Sequence, residues 1–187
     1  MKLAAADLRT VNENRIANHL KKIKRNRLYF IVENVYDTYN VGGLFRLADA
    51  LAIEKMYLCG QVETPPNSRI TKASIGTFKV VPWEYKKSAE EAILDLRTKP
   101  KTTAPVEIVA VEQAKKAIDY RKADYSLPLA LIFGNETTGI RGETLKLADQ
   151  SVEIPMWGIN KSLNVIVSAA IVGYWIVEKN EDLPIGA

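Results

Sequence analysis

Three short stretches hold the residues whose types could do chemistry. In Tyr39-Asn40-Val41-Gly42-Gly43-Leu44-Phe45-Arg46, an amide is followed six residues later by a guanidinium among apolar neighbours. Asn40 can cap a helix that begins there. The glycine pair allows close backbone approach at the helix N-terminus, where free amides attract anions. In Ile132-Phe133-Gly134-Asn135-Glu136-Thr137-Thr138-Gly139, an apolar run stops at a glycine and a carboxylate soon follows. Its two glycines, five apart, resemble a phosphate loop. No Lys-Ser/Thr follows, which excludes the nucleotide-triphosphatase motif. In the third stretch, Pro155 stops a strand, Gly158 permits a bend, and Ser162 and Asn164 stand at the mouth of the most apolar segment of the chain. Each stretch also has a purely structural reading: a Gly-softened helix start with Arg46 snorkelling, a plain turn with Glu136 near a helix start, and a helix capped by Ser162. Capping by Ser162 leaves Asn164 unexplained, because a second polar side chain entering a core must find a partner.

Something must bring these stretches together, and the pattern around them says what. Leu28–Val32, Lys55–Cys59, Val80-Val81, Glu107–Val111, Leu129–Phe133 and Ser151–Ile154 read as strands. Asn40–Ala52, Ser88–Arg97, Arg141–Leu147 and 162–178 read as helices, the second with a capping box from Ser88 to Glu91. Thr64–Ser68, with its consecutive prolines, is a loop. Strands alternating with helices predict an α/β fold with a mostly parallel sheet covered on both faces. Ligands of such sheets bind beyond the carboxyl ends of the strands. That rim comprises the loops 34–40, 60–76, 112–116, 134–140 and 155–161, which carry much of the chemistry above.

Composition narrows the chemistry further. The 187 residues include one cysteine, Cys59, and one histidine, His19. Ser-His-Asp, Cys-His, disulfide and His-rich metal chemistry are therefore excluded. The longest apolar stretch, Val165–Val177, has 13 residues and contains Ser168, short of the about 20 needed to span a bilayer. These features predict a soluble, cytoplasmic protein without a metal. The charge is lopsided. Residues 1–27 hold eight Lys/Arg against two acids, a net +6, whereas the whole chain is +4 and the remainder therefore −2. Leu8, Val11, Ile16, Leu20 and Ile23 recur at roughly helical spacing, so 1–27 reads as a basic helical extension ahead of a domain at 28–187. Such an arm suits a polyanion such as nucleic acid, with a solvated helix face as the alternative.

Taken in order, Asn40-x-Gly-x-x-x-Arg46, Phe133-Gly134-x-Glu136-x-x-Gly139, and Ile154-Pro155-Met156 followed by Ser162-Leu163-Asn164-Val165 resemble the three signature motifs of the SpoU/TrmH-type RNA ribose methyltransferases. These belong to the SPOUT class of knotted methyltransferases. The Pro65-Pro66 and Lys72-Ala73-Ser74-x-Gly76 segment is similar to the family's loop before its fourth strand. Gly43 stands where the family more usually has Ala, and Ala52 where it often has Gly.

The resemblance implies a fold whose C-terminal segment threads a loop, making a deep trefoil knot, although knots are otherwise nearly absent from proteins. It implies S-adenosylmethionine as cofactor, held by Val111, Glu112, Gly134, Asn135, Ile154, Met156, Ser162 and Leu163. It implies a homodimer and an RNA substrate, tRNA ahead of ribosomal RNA. The catalytic set would be Arg46, Asn40, Glu136, Ser162 and Asn164. Arg46 is the family's candidate for removing the proton of the 2′-hydroxyl. An arginine is effectively always protonated, so a bidentate grip on the target phosphate is the more economical role, with Asn40 and Glu136 orienting it. Docking would fall to Arg15, Lys21, Lys22, Lys24, Arg25 and Arg27 of the arm, and deleting residues 1–25 should weaken RNA affinity and its salt dependence. Two rivals stay open: a non-catalytic RNA-binding module of the same fold, and a knotted enzyme that methylates a base.

Overall fold

The structure, a computed structural model, describes residues 23–98 and 104–180 together with Leu8 and Leu20. In chain order the elements are β1 (Asn26–Glu33), α1 (Thr38–Ala50), β2 (Ile53–Cys59), α2 (Ser68–Ser74), a 3₁₀ turn (Thr77–Lys79), β3 (Trp83–Lys86), α3 (Ala89–Thr98), β4 (Glu107–Val111), β5 (Ile118–Asp119), β6 (Leu129–Phe133), α4 (Gly142–Leu145), β7 (Gln150–Glu153) and α5 (Val165–Lys179). The seven strands form one parallel sheet in the order β3-β2-β1-β6-β4-β7-β5. The α/β class and the parallel sheet expected from the sequence are thus present.

Central strands of such a sheet are covered on both faces and read as continuous apolar runs. In β1, Leu28, Phe30 and Val32 point into one core with α1 and α5, while Tyr29 and Ile31 point into a second core with α3. β6, fully buried, lies beside β1 with Phe30 opposite Leu131 and Val32 opposite Phe133. That register sets the ends of β1 and β6 side by side, and with them the loops that begin at Asn34 and Gly134. In α1, the predicted face of Leu44, Leu47, Ala48 and Leu51 is buried. Half of the capping box expected for α3 forms: Ser88 Oγ accepts from Glu91 N (3.3 Å), while the Glu91 carboxylate accepts from Lys87 N (3.1 Å), one residue before the cap.

Several boundaries differ from those read in the sequence. Val80 and Val81 are buried in a turn; the strand follows Pro82, because a proline can precede a strand it cannot continue inside. Helix α2 occupies what was read as open loop; Asn67 caps it, accepting from Arg69 N and Ile70 N. β5 has two residues, too few to show any period. The cap of α1 is Asp37, which accepts from Tyr39 N, and not Asn40. The cap of α5 is Asn164, which accepts from Ile166 N, and not Ser162. The boundary drawn between 27 and 28 falls inside β1. Just before that strand, the Arg25 guanidinium donates to Ile53 O (3.0 Å) and Val80 O (2.7 Å). Arg25 is thereby tied to the domain, whereas Lys24 and Arg27 are exposed. Arg15, Lys21, Lys22 and most of the predicted basic helix lie outside the described residues. Among the described residues, no helix is long and apolar enough to cross a membrane.

Candidate active site

One chain of hydrogen bonds joins the three stretches singled out in the sequence. Asn40 lies in the first turn of α1, 7% exposed. Its amide donates to Glu136 Oε1 (2.5 Å), and its carbonyl oxygen accepts from Asn164 Nδ2 (3.0 Å). Asn164 Oδ1 in turn accepts from Ile166 N (2.9 Å), capping α5. The side chain that capping by Ser162 left unexplained therefore has two partners, one local and one 124 residues away in sequence.

The loop after β6 is closed on itself. Asn135 and Gly139 exchange backbone hydrogen bonds (3.2 and 2.9 Å). Asn135 Oδ1 accepts from Thr137 N and Thr138 N, and its amide donates to Asn34 O (2.9 Å) at the end of β1. A Cβ on Gly134 would lie 2.3 Å from the backbone of Gly139 and Ile140, so no side chain fits there. From the end of β4, Glu112 accepts from Ile140 N (2.9 Å) and braces the far side of the loop.

The glycine pair of the first stretch has a different use from the one expected. A Cβ on Gly42 would lie 2.5 Å from Ala73 Cβ and 3.0 Å from Ser74 N; one on Gly43 would lie 2.3 Å from Ile166 Cδ1. These glycines pack α1 against α2 and α5 and offer no free anion cradle. Arg46 is exposed and has no hydrogen-bond or ion-pair partner among the described residues. The hydrogen bonds of Asn40 run to Glu136 and Asn164, and among the described residues no hydrogen bond or ion pair joins Asn40 or Glu136 to Arg46. Arg46 stands about 9 Å along the helix from Asn40.

Beside this network, the ends of β4, β6 and β7 enclose a cavity of ≈ 330 Å³, within the size range of small-molecule sites. Val111, Glu112, Gly134, Asn135, Ile154, Met156, Ser162 and Leu163, the eight positions the motif resemblance assigns to a cofactor, all line it. Glu136 lines it too; Asn40, Arg46 and Asn164 do not. Sequence reading missed Phe133 and Val165, which add apolar walls, and Glu153 and Lys161, which add charge. Phe133 and Val165 stand inside the motifs, yet nothing in the sequence marks them as lining residues, since a terminal core position and a lining position look alike. Ser162 is exposed, and its N–H meets Asn160 Oδ1 only at 3.5 Å. Cys59 is fully buried; burial, with Glu33 and Glu90 nearby, pushes its thiol well above the usual range and removes it as a nucleophile.

The arrangement can therefore hold a mid-sized ligand between an apolar floor and three carboxylates, Glu112, Glu136 and Glu153. A guanidinium stays free on the neighbouring helix. The model of the SpoU rRNA Methylase family matches residues 27–174. The chain is 30% identical over 169 residues to the tRNA (guanosine(18)-2'-O)-methyltransferase of Escherichia coli strain K12, covering 88% of this chain and 69% of that one. In structure it is similar to the SpoU methyltransferase AviRb of Streptomyces viridochromogenes in complex with AdoMet, with a TM-score of 0.77 at 23% identity, a likeness of fold. It is also similar to an AdoMet-bound rRNA methyltransferase of Sinorhizobium meliloti, with a TM-score of 0.75 at 27% identity. The matches cover 87% and 88% of this chain, but the chain spans only 61% of each of these two proteins.

Proposed function

The chain belongs to the SpoU rRNA methylase family, and on that premise we propose that it transfers a methyl group from S-adenosylmethionine to a ribose 2′-hydroxyl of RNA, tRNA before ribosomal RNA. The observation that carries this reading is the hydrogen-bond chain Glu136–Asn40–Asn164, which draws three motifs from distant parts of the sequence to one rim.

The cavity suits the donor. Phe133, Leu163 and Val165 offer apolar surface to an adenine ring, and the loop 134–139, whose amides at 135, 137, 138 and 139 are bonded within the loop, offers its remaining backbone groups for polar edges. Glu112, Glu136 and Glu153 outnumber Lys161 and leave the lining net negative, which favours a cationic sulfonium over a neutral ligand. When bound, the donor supplies an electrophilic methyl group. The chain's own residues do the rest. Ser162, exposed at the mouth of α5, is free to hold the ribose or the donor's tail. Arg46, exposed and unpaired, is free to grip the target phosphate in two places. Holding hydroxyl and donor in line supplies a large part of the rate, and a phosphate oxygen of the gripped group is the acceptor we assign to the departing proton.

The knot, the homodimer and a cytoplasmic site of action belong to the same reading. The knot is supported by the insertion of β6 and β7 on either side of β4 and by the tie from Asn164 back to Asn40. The dimer is supported by apolar side chains left open on α5 and the loop before it: Trp157 is 85% exposed, Ile159 fully so, and Val167 and Tyr174 about half.

The test is labelled donor incubated with total RNA from a strain lacking this protein, followed by mapping of the methyl group. A ribose 2′-O-methyl is the expected product; a methylated base, or donor binding with no transfer, overturns the proposal. Arg46→Ala should then lower the methylation rate about 10²-fold or more while donor affinity measured by calorimetry stays within about threefold. Preserved catalysis would remove Arg46 from the mechanism.

A further inference from the structure

The loop 134–141 has a second side. There, the carboxyl ends of β1, β2 and β3 enclose another cavity, of ≈ 460 Å³. Its polar groups divide into those already engaged and those left over. Glu33, 1% exposed, is engaged: its carboxylate accepts from Arg141 N (2.9 Å) and Thr144 Oγ1 (2.7 Å). Asn34, in the left-handed region at φ 53°, accepts from Gln61 N (2.8 Å) and fixes the turn after β2. A Cβ on Gly60 would lie 2.3 Å from Asn34 Oδ1, so this turn is built around that contact.

Left over are two half-exposed rings, Tyr36 (56%) and Tyr85 (47%), and three polar ends. Among the described residues, the Lys87 ammonium, the Gln61 amide and the Tyr36 hydroxyl have no partner. Arg141 reaches Glu90 and Glu143 only at 3.6 Å, a weak engagement for an exposed guanidinium. Tyr85 is oriented, its hydroxyl donating to Gly60 O (3.3 Å). Scattered exposed tyrosines need no explanation. Two around one cavity, with two cations and a free amide, are the parts used to hold an unpaired nucleotide: rings for stacking, cations for phosphate, an amide for a base edge.

Position makes the same point. The donor cavity sits over β6, β4 and β7, and this one over β1, β2 and β3, about three strand spacings of ~4.8 Å away. The partition between them is one loop, pinned by the Asn135–Asn34 bond and ending in Arg141. We propose that this second cavity is a nucleotide subsite of the RNA substrate: an unpaired base near the methylated residue stacks on Tyr36 and Tyr85, Gln61 reads its edge, and Lys87 and Arg141 hold its phosphate. The proposal rests on the RNA methyltransferase reading above.

The experiment measures methylation by the full chain against total RNA from a strain lacking it, alongside calorimetric titration with S-adenosylmethionine. For the doubly substituted Tyr36→Ala/Tyr85→Ala protein, the half-saturating RNA concentration should rise by about tenfold or more, the size expected for losing stacking on aromatic rings. Donor affinity and the rate at saturating RNA should stay within about twofold, and Tyr36→Phe/Tyr85→Phe should behave as wild type. A double alanine protein that methylates with unchanged half-saturation overturns the subsite and leaves the methyltransferase reading intact. A wild-type protein that neither binds donor nor methylates overturns the underlying reading instead. If the double variant loses donor binding, Gln61→Ala and Lys87→Ala, both on exposed side chains, decide by the same rise or its absence.

Discussion

Asn40 is nearly buried on a helix, where an unpaired amide costs more than the bond it would make. It is satisfied by one donor bond to Glu136 and one acceptor bond from Asn164, so its neighbours are fixed by its own needs. Glu136→Ala takes away the acceptor of the Asn40 amide. The expected loss is about 1–2 kcal/mol, a melting point lower by roughly 2–8 °C for a domain of this size, with weakened donor binding because Glu136 also lines that cavity. Glu136→Gln keeps an oxygen for Asn40 and should recover most of the stability but not the negative charge. Thermal denaturation and donor titration of the two variants separate the roles. Equal melting points for Ala and Gln would show that Asn40 finds water or another partner.

At the level of elements, two glycines of the motifs meet different obstacles. At Gly134, an added methyl would lie 2.3 Å from the backbone of Gly139 and Ile140, which cannot yield without opening the turn. At Gly43, it would meet the end of the Ile166 side chain at the same distance, an obstacle that can rotate or be trimmed. Gly134→Ala should cost about 1–3 kcal/mol by overpacking and abolish donor binding. Gly43→Ala should cost less, and Ile166→Val should recover part of the loss, since it removes the δ methyl at 2.3 Å and leaves Cγ1 at 3.0 Å. Denaturant melts of the two single variants and the double check this; failure of the rescue would place the conflict in the α1 backbone. The same comparison shows what is legible in the sequence. An uninterrupted apolar run locates β6 to the residue, and the run 108–111 behind Glu107 locates β4, because a strand buried on both faces leaves no other trace. The helix caps are misread because Asp37, Thr38 and Asn40 all satisfy the rule for a helix start, and only the fold reserves Asn40 for partners 96 and 124 residues away. α2 and β5 escape notice because elements of seven and two residues show too little period to register. The site residues are legible only as motifs; no spacing in the chain implies that Glu136 should meet Asn40.

Across the whole molecule, charge is separated. The cavity over β4, β6 and β7 carries three carboxylates against one lysine, Lys161, while eight of the chain's 26 Lys/Arg stand in the first 27 residues against two acids. On the proposed function, a cationic donor and a polyanionic RNA would each meet the opposite sign, which would favour encounter of both. The basic arm is not uniform, however. Arg25 is half-buried, spends its guanidinium on Ile53 O and Val80 O, and has its pKa lowered by burial, with Glu54 and Asp49 pulling the other way. Removing residues 1–25 would thus mix weaker docking with damage to the sheet edge. Removing residues 1–22 takes away five of the eight cations, Lys2, Arg9, Arg15, Lys21 and Lys22, and spares the Arg25 bonds. Each phosphate left without its cation should flatten the plot of log affinity against log salt by about 0.7 for a single strand, so a fully engaged set of five would lower the slope by about 3.5. Donor affinity and melting temperature should not move. RNA binding measured from low to moderate salt on the full and shortened chains gives the answer: parallel lines would mean that those five cations make no phosphate contact.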